Sequence, residues 1–151
     1  MVDGAPPLRE AIARHGLNAR HALGQHFLLD GNVTDRIARE AGPLKGVHVV
    51  EIGPGPGGLT RSLLDAGAAS VVAVEIDPRA VAAVSELVPL SNGRLTVVQG
   101  DALAVDAAAL VPAPRAIVAN LPYNVASPLL VGWLRRAAAL DRMALMFQLE
   151  V

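Results

Sequence analysis

The sequence predicts an α/β fold in which a mostly parallel sheet has helices on its faces. Two observations lead to this class. Short runs rich in valine, isoleucine and alanine alternate with segments of helical spacing from about residue 47 onward. The first run ends at a glycine cluster, and the second ends at an acidic residue. Because ligands of open parallel sheets bind beyond the carboxyl ends of the strands, functional residues are expected directly after these runs.

Five strands are predicted from the apolar runs. The first is rich in β-branched residues, which favour strands over helices. The predicted strands cover residues 47–52, 70–75, 95–98, 115–119 and 142–147. Their alternation with helix-like segments is the pattern of a parallel sheet flanked by helices.

The first helix between strands is predicted over residues 58–66. Leu59, Leu63 and Leu64 recur on one face of this segment, which is the pattern of a helix packed on a sheet. Gly67 follows the last turn and can adopt the left-handed conformation that ends a helix.

Two later helices are predicted from an N-cap residue followed by proline. Asp77-Pro78 begins a helix that continues to about Leu87, and Ser127-Pro128 begins another. Core packing is expected for an apolar stripe on the second of these, formed by Leu129, Leu130, Trp133, Leu134, Ala137 and Ala138. Before the sheet, helices are predicted over residues 8–15 and 32–41.

The composition indicates one globular domain. The 151 residues are 52% hydrophobic and 18% charged, which excludes disorder. No apolar run approaches the roughly 20 residues of a membrane helix, and no secretory signal is recognised, so a cytoplasmic protein without a membrane partner is expected. The chain has no cysteine, which excludes disulfides and thiolate metal sites.

A glycine-rich segment lies between the first predicted strand and its helix. Residues 51–58 are Glu-Ile-Gly-Pro-Gly-Pro-Gly-Gly, and missing side chains let a backbone approach a ligand closely. Gly53, Gly55 and Gly58 satisfy the G-x-G-x-x-G spacing of Rossmann-like sites. By itself the motif leaves both a tight connection and a dinucleotide site open.

Acidic residues follow the second and third strands. Glu75 lies 22 residues after Gly53, a spacing at which a carboxylate can accept hydrogen bonds from ribose hydroxyls. Asp101 can accept a hydrogen bond from an adenine exocyclic amine. The alternatives are that Glu75 is an exposed strand-end acid and that Asp101 caps the turn at Ala102-Leu103.

The segment Asn120-Leu121-Pro122-Tyr123 follows the fourth strand. An adenine exocyclic amine is a poor nucleophile because its lone pair is delocalised into the ring, so as a methyl acceptor it must be positioned. The Asn120 oxygen and a carbonyl held by Pro122 can accept both amine hydrogens, and Tyr123 can stack on the base. Orientation then matters more than a strong base, and no metal is required. The alternative is a rigid turn with a packed tyrosine.

Five segments occur in one order across residues 21–151. They are Gln-His-Phe-Leu-Leu-Asp at 25–30, Glu-Ile-Gly-Pro-Gly at 51–55, Val-Glu-Ile-Asp at 74–77, Gly-Asp-Ala at 100–102 and Asn-Leu-Pro-Tyr-Asn at 120–124. With this combination the chain resembles the ribosomal RNA adenine N6-dimethyltransferase family. The resemblance implies a Rossmann-like class I S-adenosylmethionine-dependent methyltransferase fold. It also implies dimethylation of two adjacent adenosines in small-subunit ribosomal RNA, a step of ribosome biogenesis.

The resemblance implies roles for individual residues toward S-adenosylmethionine. Its methionine end would contact His26 and Leu28. His26 stands where many members have asparagine, and both side chains can donate a hydrogen bond to a carboxylate. The expected cofactor-binding residues are His26, Leu28, Gly53, Glu75, Ile76, Asp101, Ala102 and Asn120, and the expected catalytic residues are Asn120, Pro122 and Tyr123.

Two parts of the chain are expected. Residues 1–45 would form a helical, basic arm that contributes to the cofactor site, and residues 46–151 a truncated Rossmann-like domain. Family members continue well beyond this length, so further strands and a small helical domain are expected to be absent. The exposed sheet edge would then favour self-association.

The expected partners are ribosomal RNA and the small ribosomal subunit. The segment from Arg9 to His26 carries three arginines and three histidines against one acid, and it is either a solvated arm or an RNA-facing edge. Three alternatives stay open: a large-subunit ribosomal RNA methyltransferase, an NAD-dependent oxidoreductase using the glycine loop, and a non-catalytic RNA-binding fragment.

Overall fold

The computed structural model describes residues 2–17, 29–121 and 123–147. Within these residues, five parallel strands form one sheet in the order β3-β2-β1-β4-β5. The strands are β1 His48–Ile52, β2 Ser70–Glu75, β3 Leu95–Gln99, β4 Arg115–Leu121 and β5 Arg142–Phe147. All five predicted strands are confirmed, with bounds shifted by at most two residues.

The strand order reverses next to β1. The chain moves outward from β1 to β2 and β3, and then returns to place β4 on the other side of β1. In register, Ile52 pairs with both Val74 and Ala119, so the three central strands end at nearly the same height. The crevice beyond these carboxyl ends is where open parallel sheets bind their ligands.

Helices cover both faces of the sheet. They are α1 Leu8–Arg14, α2 Gly31–Glu40, α3 Gly58–Asp65, α4 Pro78–Ser85, α5 Ala107–Leu110 and α6 Tyr123–Arg135. One core cluster contains Val49 of β1 with Leu63 of α3 and Val84 of α4. The other contains Val50 of β1 with Ala107 of α5 and Trp133 of α6. Neighbouring residues of β1 thus bury opposite faces, as strand geometry requires.

The predicted end of α3 and the predicted start of α4 are confirmed. Asp77 accepts a hydrogen bond from the Arg79 backbone N–H at 2.9 Å and precedes proline at the first helical position. Gly67 has a φ of +90° just after α3, as the left-handed stop predicts. The α5 helix and the short 3-10 turns were not predicted, because each has too few residues to show a periodic pattern.

The predicted start of α6 is wrong. The helix begins at Tyr123 instead of after Ser127, and Pro128 lies inside it. Burial explains the difference, because Ala126 is enclosed in the same core cluster as Leu129 and Trp133 and extends the helical stripe by one turn toward the strand.

The predicted packing of the α6 stripe is correct only in part. Leu129 and Trp133 are buried, but Leu134 is 55% exposed and Ala137 and Ala138 are exposed. Leu134 lies within the helix but outside its buried face, and Ala137 and Ala138 lie in a 3-10 turn beyond the end of the helix at Arg135. In the part of the chain that the structure describes, no helix is long and apolar enough to cross a membrane.

Candidate functional site

The loop between β1 and α3 is built on glycines in the left-handed region. Gly53, Gly55 and Gly57 have φ values of +71°, +54° and +97°. A Cβ atom at Gly53 would lie 3.4 Å from the Asn120 backbone oxygen, because the ends of β1 and β4 approach closely there. The glycine loop and Asn120 therefore meet where the strand order reverses.

The Glu75 carboxylate joins the glycine loop to the end of β2. Its Oε1 accepts a hydrogen bond from the Gly55 backbone N–H at 3.1 Å. Its Oε2 accepts from the N–H groups of Ile76 at 2.8 Å and Asp77 at 3.1 Å. The side chain is half-buried, so it is not simply an exposed strand-end acid. A carboxylate has about four acceptor positions, which leaves capacity for a hydroxyl donor.

The segments after β2 and β3 present both apolar and acidic groups. Ile76 is 64% exposed and Leu103 is 56% exposed, so both present apolar surface to solvent beside the crevice. Gly100 N–H donates to the Glu75 carbonyl at 2.9 Å, so the two strand ends are joined. These apolar side chains are suited to contact a flat ring.

Asp101 caps the turn at Ala102-Leu103, which was the alternative interpretation of this residue. Its Oδ1 accepts from the Leu103 backbone N–H at 2.9 Å and starts a 3-10 turn that includes Ala102. Within the described residues, no hydrogen bond to its second oxygen occurs, and the residue is exposed. The cap and a ligand contact are compatible, because they use different oxygens.

The Asn120 side chain is buried without hydrogen bonds. It is 3% exposed, and neither its amide oxygen nor its amide nitrogen has a partner among the residues that the structure describes. A buried polar group left unpaired costs about 1–3 kcal/mol. A polar ligand bound at the carboxyl edge of the sheet, beside Gly53, would supply the missing hydrogen bonds.

Glu51 is a buried acid that the sequence interpretation did not select. It is 1% exposed, and the Thr60 hydroxyl donates to its Oε1 at 2.5 Å. Burial raises the pKa of Glu51 to about 8, the Thr60 hydrogen bond opposes this rise, and the negative charge of Glu75 adds to it. The sequence signal that could have identified Glu51 is an acidic residue within a strand rich in β-branched residues, two positions before the first glycine of the loop.

Some predicted residues fall outside this description. His26, Leu28 and Pro122 lie outside the described residues, and of Tyr123 only its place at the start of α6 is described. The structure does bring together Gly53, Glu75 and Asn120. Ile76, Asp101 and Ala102 lie on the loops after the neighbouring strands β2 and β3. In the described ranges, no group of three or more metal-ligating side chains is assembled.

A separate groove of about 310 Å³ lies beside the crevice. Residues 102–108 form one wall, α6 forms the other, and Trp133 is among the lining side chains. An ion pair joins Asp106 to Arg136 across it. Gly53, Glu75 and Asn120 do not line this groove, whereas Ala102 and Leu103 do, so the groove adjoins the crevice on the side of the loop after β3.

The strand order, the glycine loop and the strand-end acid define the fold of the class I S-adenosylmethionine-dependent methyltransferases. Solved structures agree. The 23S rRNA methyltransferase ErmE matches with 33% identity and a TM-score of 0.67, over 80% of this chain and 47% of that one. A dimethyladenosine transferase from Plasmodium falciparum matches with 30% identity and a TM-score of 0.65, over 78% and 42%.

Residues 16–151 match the family model described as ribosomal RNA adenine dimethylase, and the chain belongs to this family. Relatives named ribosomal RNA small subunit methyltransferase A are 62% identical in Paramagnetospirillum magneticum and 59% identical in Rhodospirillum rubrum. The matches cover 97% and 99% of this chain but 52% of each relative. The chain thus spans about half the length of the curated relatives it matches.

Proposed function

We propose that this chain binds S-adenosylmethionine as part of an enzyme that dimethylates N6 of adjacent adenosines in small-subunit ribosomal RNA. The observation that carries the proposal is the buried, unpaired amide of Asn120 beside the glycine loop. Family membership and relatives named small subunit methyltransferase A support the substrate class.

The residues of the crevice fit the parts of this cofactor. Gly53 would lie under the methionine end, Glu75 would hold the ribose through its remaining acceptor position, and Asp101 would accept from the adenine amine through its unused oxygen. Ile76 and Ala102 would contact the adenine ring. His26 and Leu28 are carried over from the family resemblance and would contact the methionine end. The bound cofactor supplies an electrophilic methyl group on a sulfonium.

The target base would be held at the end of β4. The Asn120 amide oxygen would accept one hydrogen of the adenine amine, and a carbonyl at Leu121 or Pro122 would accept the other. With both hydrogens engaged, the nitrogen lone pair would be turned out of conjugation and toward the methyl group of the cofactor. Transfer of the methyl group would leave S-adenosylhomocysteine, and the displaced amine proton would pass to solvent. Tyr123 would stack on the base and contribute about 1–3 kcal/mol. Positioning, and not a strong base, would then be the main contribution of the chain.

Calorimetric titration tests the cofactor. We expect S-adenosylmethionine to bind this chain and NAD to produce no heat of binding, because the proposal assigns Asn120 and Asp101 to the former ligand and leaves Asn120 unexplained with the latter. Binding of NAD alone would contradict the proposal and favour the oxidoreductase alternative. Salt-sensitive RNA binding without cofactor binding would instead favour a non-catalytic RNA-binding fragment.

The substrate is tested separately from the cofactor. Methyl transfer by this chain, and by a version extended to its relatives' length, would be measured on small ribosomal subunits and on 23S ribosomal RNA. We expect transfer to the small subunit, because the relatives near 60% identity are named for it. Transfer to 23S RNA alone would favour the activity named for ErmE. A ribosomal substrate is also consistent with action in the cytoplasm.

Self-association is proposed through the edge of β5. This strand pairs only with β4 in the described sheet, and its residues Met143 to Met146 are half-buried. An unpaired strand edge with apolar side chains is a template for pairing with a second chain. Sedimentation velocity at increasing concentration should show a shift toward dimer, and an unchanged monomer would contradict this proposal.

A further inference from the structure

Glu51 lies on the same face of the sheet as two residues of the proposed cofactor site. Val49 belongs to the core cluster of the first face, whereas Val50 and Ile52 belong to that of the second. Strand alternation therefore directs Glu51 to the first face. The same alternation places Glu75 of β2 and Asn120 of β4 on that face. Three polar side chains thus gather under the glycine loop on adjacent strands.

Glu51 connects the strand below the loop to the helix above it. The loop enters α3 through Gly57, which has no side chain and cannot cap the helix. Thr60, in the first turn of α3, uses its hydroxyl to donate to Glu51 at 2.5 Å. The two residues that flank the loop are therefore joined directly, across three glycines in the left-handed region.

The two carboxyl groups at the loop are in opposite environments. Glu75 accepts three backbone N–H groups, which favours its charged form. Glu51 is fully buried, and the negative charge of Glu75 adds to the rise of its pKa. Desolvation and like charge both favour the neutral form of Glu51. Such pairs commonly divide the roles of a charged and an uncharged acid at one site.

We propose that Glu51 is a positioning residue, which accepts the Thr60 hydrogen bond and thereby holds the glycine loop in its cofactor-binding conformation. This inference rests on the proposed binding of S-adenosylmethionine. Glu51 does not need to touch the cofactor, because its contact is with the first turn of α3. Ionisation of Glu51 would place a second negative charge beside Glu75 and disturb the loop that both residues support.

Binding of S-adenosylmethionine to four variants tests the proposal. Glu51→Gln keeps the shape and a neutral acceptor for Thr60, so affinity should stay within about 3-fold of the wild type. Glu51→Ala and Thr60→Val remove the link, and each should weaken binding by about 10-fold or more. Thr60→Val preserves the packing volume of the side chain at position 60 and leaves β1 unchanged. Glu40→Gln, on an exposed helix end, is the matched control for loss of an acid.

The pH profile separates positioning by a neutral group from a general structural role. Affinity of the wild type should fall as the pH rises through about 8, where Glu51 ionises, and that additional fall should be absent in Glu51→Gln. Titration of the ligand itself affects both proteins equally. Wild-type protein that fails to bind S-adenosylmethionine would overturn the proposed function.

Two results with a binding-competent wild type would overturn the role of Glu51. One is that Glu51→Gln binds as weakly as Glu51→Ala, which would mean that the charge is required. The other is that Thr60→Val and Glu51→Ala, shown to be folded by circular dichroism, bind like the wild type.

Discussion

At the scale of single residues, the site combines side chains that have hydrogen-bond partners with one that has none among the described residues. Glu75 has three backbone donors and Glu51 has Thr60, whereas the Asn120 amide has no partner in the described part of the chain. Unpaired buried groups are rare in folded proteins and commonly mark functional positions. The contrast supports the proposal that Asn120 takes its hydrogen-bond partner from a bound ligand.

Replacement of Asn120 by alanine should separate catalysis from stability. Asn120→Ala is expected to reduce methyl transfer by about 100-fold or more, because the acceptor amine loses its positioning group. Affinity for S-adenosylmethionine should change only modestly. Cofactor-free thermal stability should not fall, since the amide makes no hydrogen bond to lose. Transfer assays and thermal melts measure these effects, and unchanged turnover would refute the catalytic role.

Replacement by glutamine should have different effects on cofactor affinity at Glu51, which is buried, and at Glu75, which is half-buried. In Glu75→Gln, one carboxylate oxygen becomes an NH₂ group, which cannot accept from the backbone donors now divided between both oxygens. Affinity for S-adenosylmethionine should fall by about 10-fold or more, in contrast to Glu51→Gln. Calorimetry of both variants provides the comparison, and equal affinities would contradict the assignment of charged and neutral roles.

At the scale of elements, polar contacts hold α1 against the end of α4. Arg14 and His15 both contact Glu86 Oε1, at 2.8 Å and 2.6 Å, and Arg79 donates to the Gly16 carbonyl at 3.2 Å. The His15 hydrogen bond, with help from the charge of Arg14, holds the pKa of Glu86 below its ordinary value. In sequence, α1 directly precedes the segment that carries His26 and Leu28.

Loss of Glu86 should loosen α1 selectively. Glu86→Ala is expected to increase amide exchange in Leu8–Arg14 by a few-fold, without change in α3, because exposed ion pairs are individually weak. Glu10→Ala, which removes only the pair with Arg14 inside α1, is the matched control. Because the pKa of Glu86 is lowered by folding, its contribution should be present near neutral pH and lost under acidic conditions. Equal exchange in all three proteins would show that packing alone holds α1.

At the scale of the whole molecule, the stability should depend on the protonation of Glu51. Its pKa is about 8 when folded and about 4.3 in an unfolded chain, so the folded state retains a proton that the unfolded state releases. The free energy of unfolding should therefore decrease from pH 5 to pH 8, on the order of a few kcal/mol. Urea denaturation should show a flatter dependence for Glu51→Gln. Parallel profiles for the two proteins would contradict this prediction.

Local sequence patterns determined much of this molecule. The five strands, the Asp77 cap and the Gly67 stop follow from short-range periodicity and backbone preference, which act within a few residues. The residues that meet at the crevice were also predicted, because parallel topology brings successive strand ends to one edge. Gly53, Glu75 and Asn120 do meet there.

Only the tertiary structure decided what depends on neighbours distant in sequence. The start of α6 is explained by burial of Ala126, and Leu134 is exposed because it lies outside the helix face that buries Leu129 and Trp133. The raised pKa of Glu51 and the unpaired amide of Asn120 likewise arise from enclosure by several elements at once. Burial is a property of the assembled sheet and helices, so the sequence indicated where these groups lie but not the state in which the fold holds them.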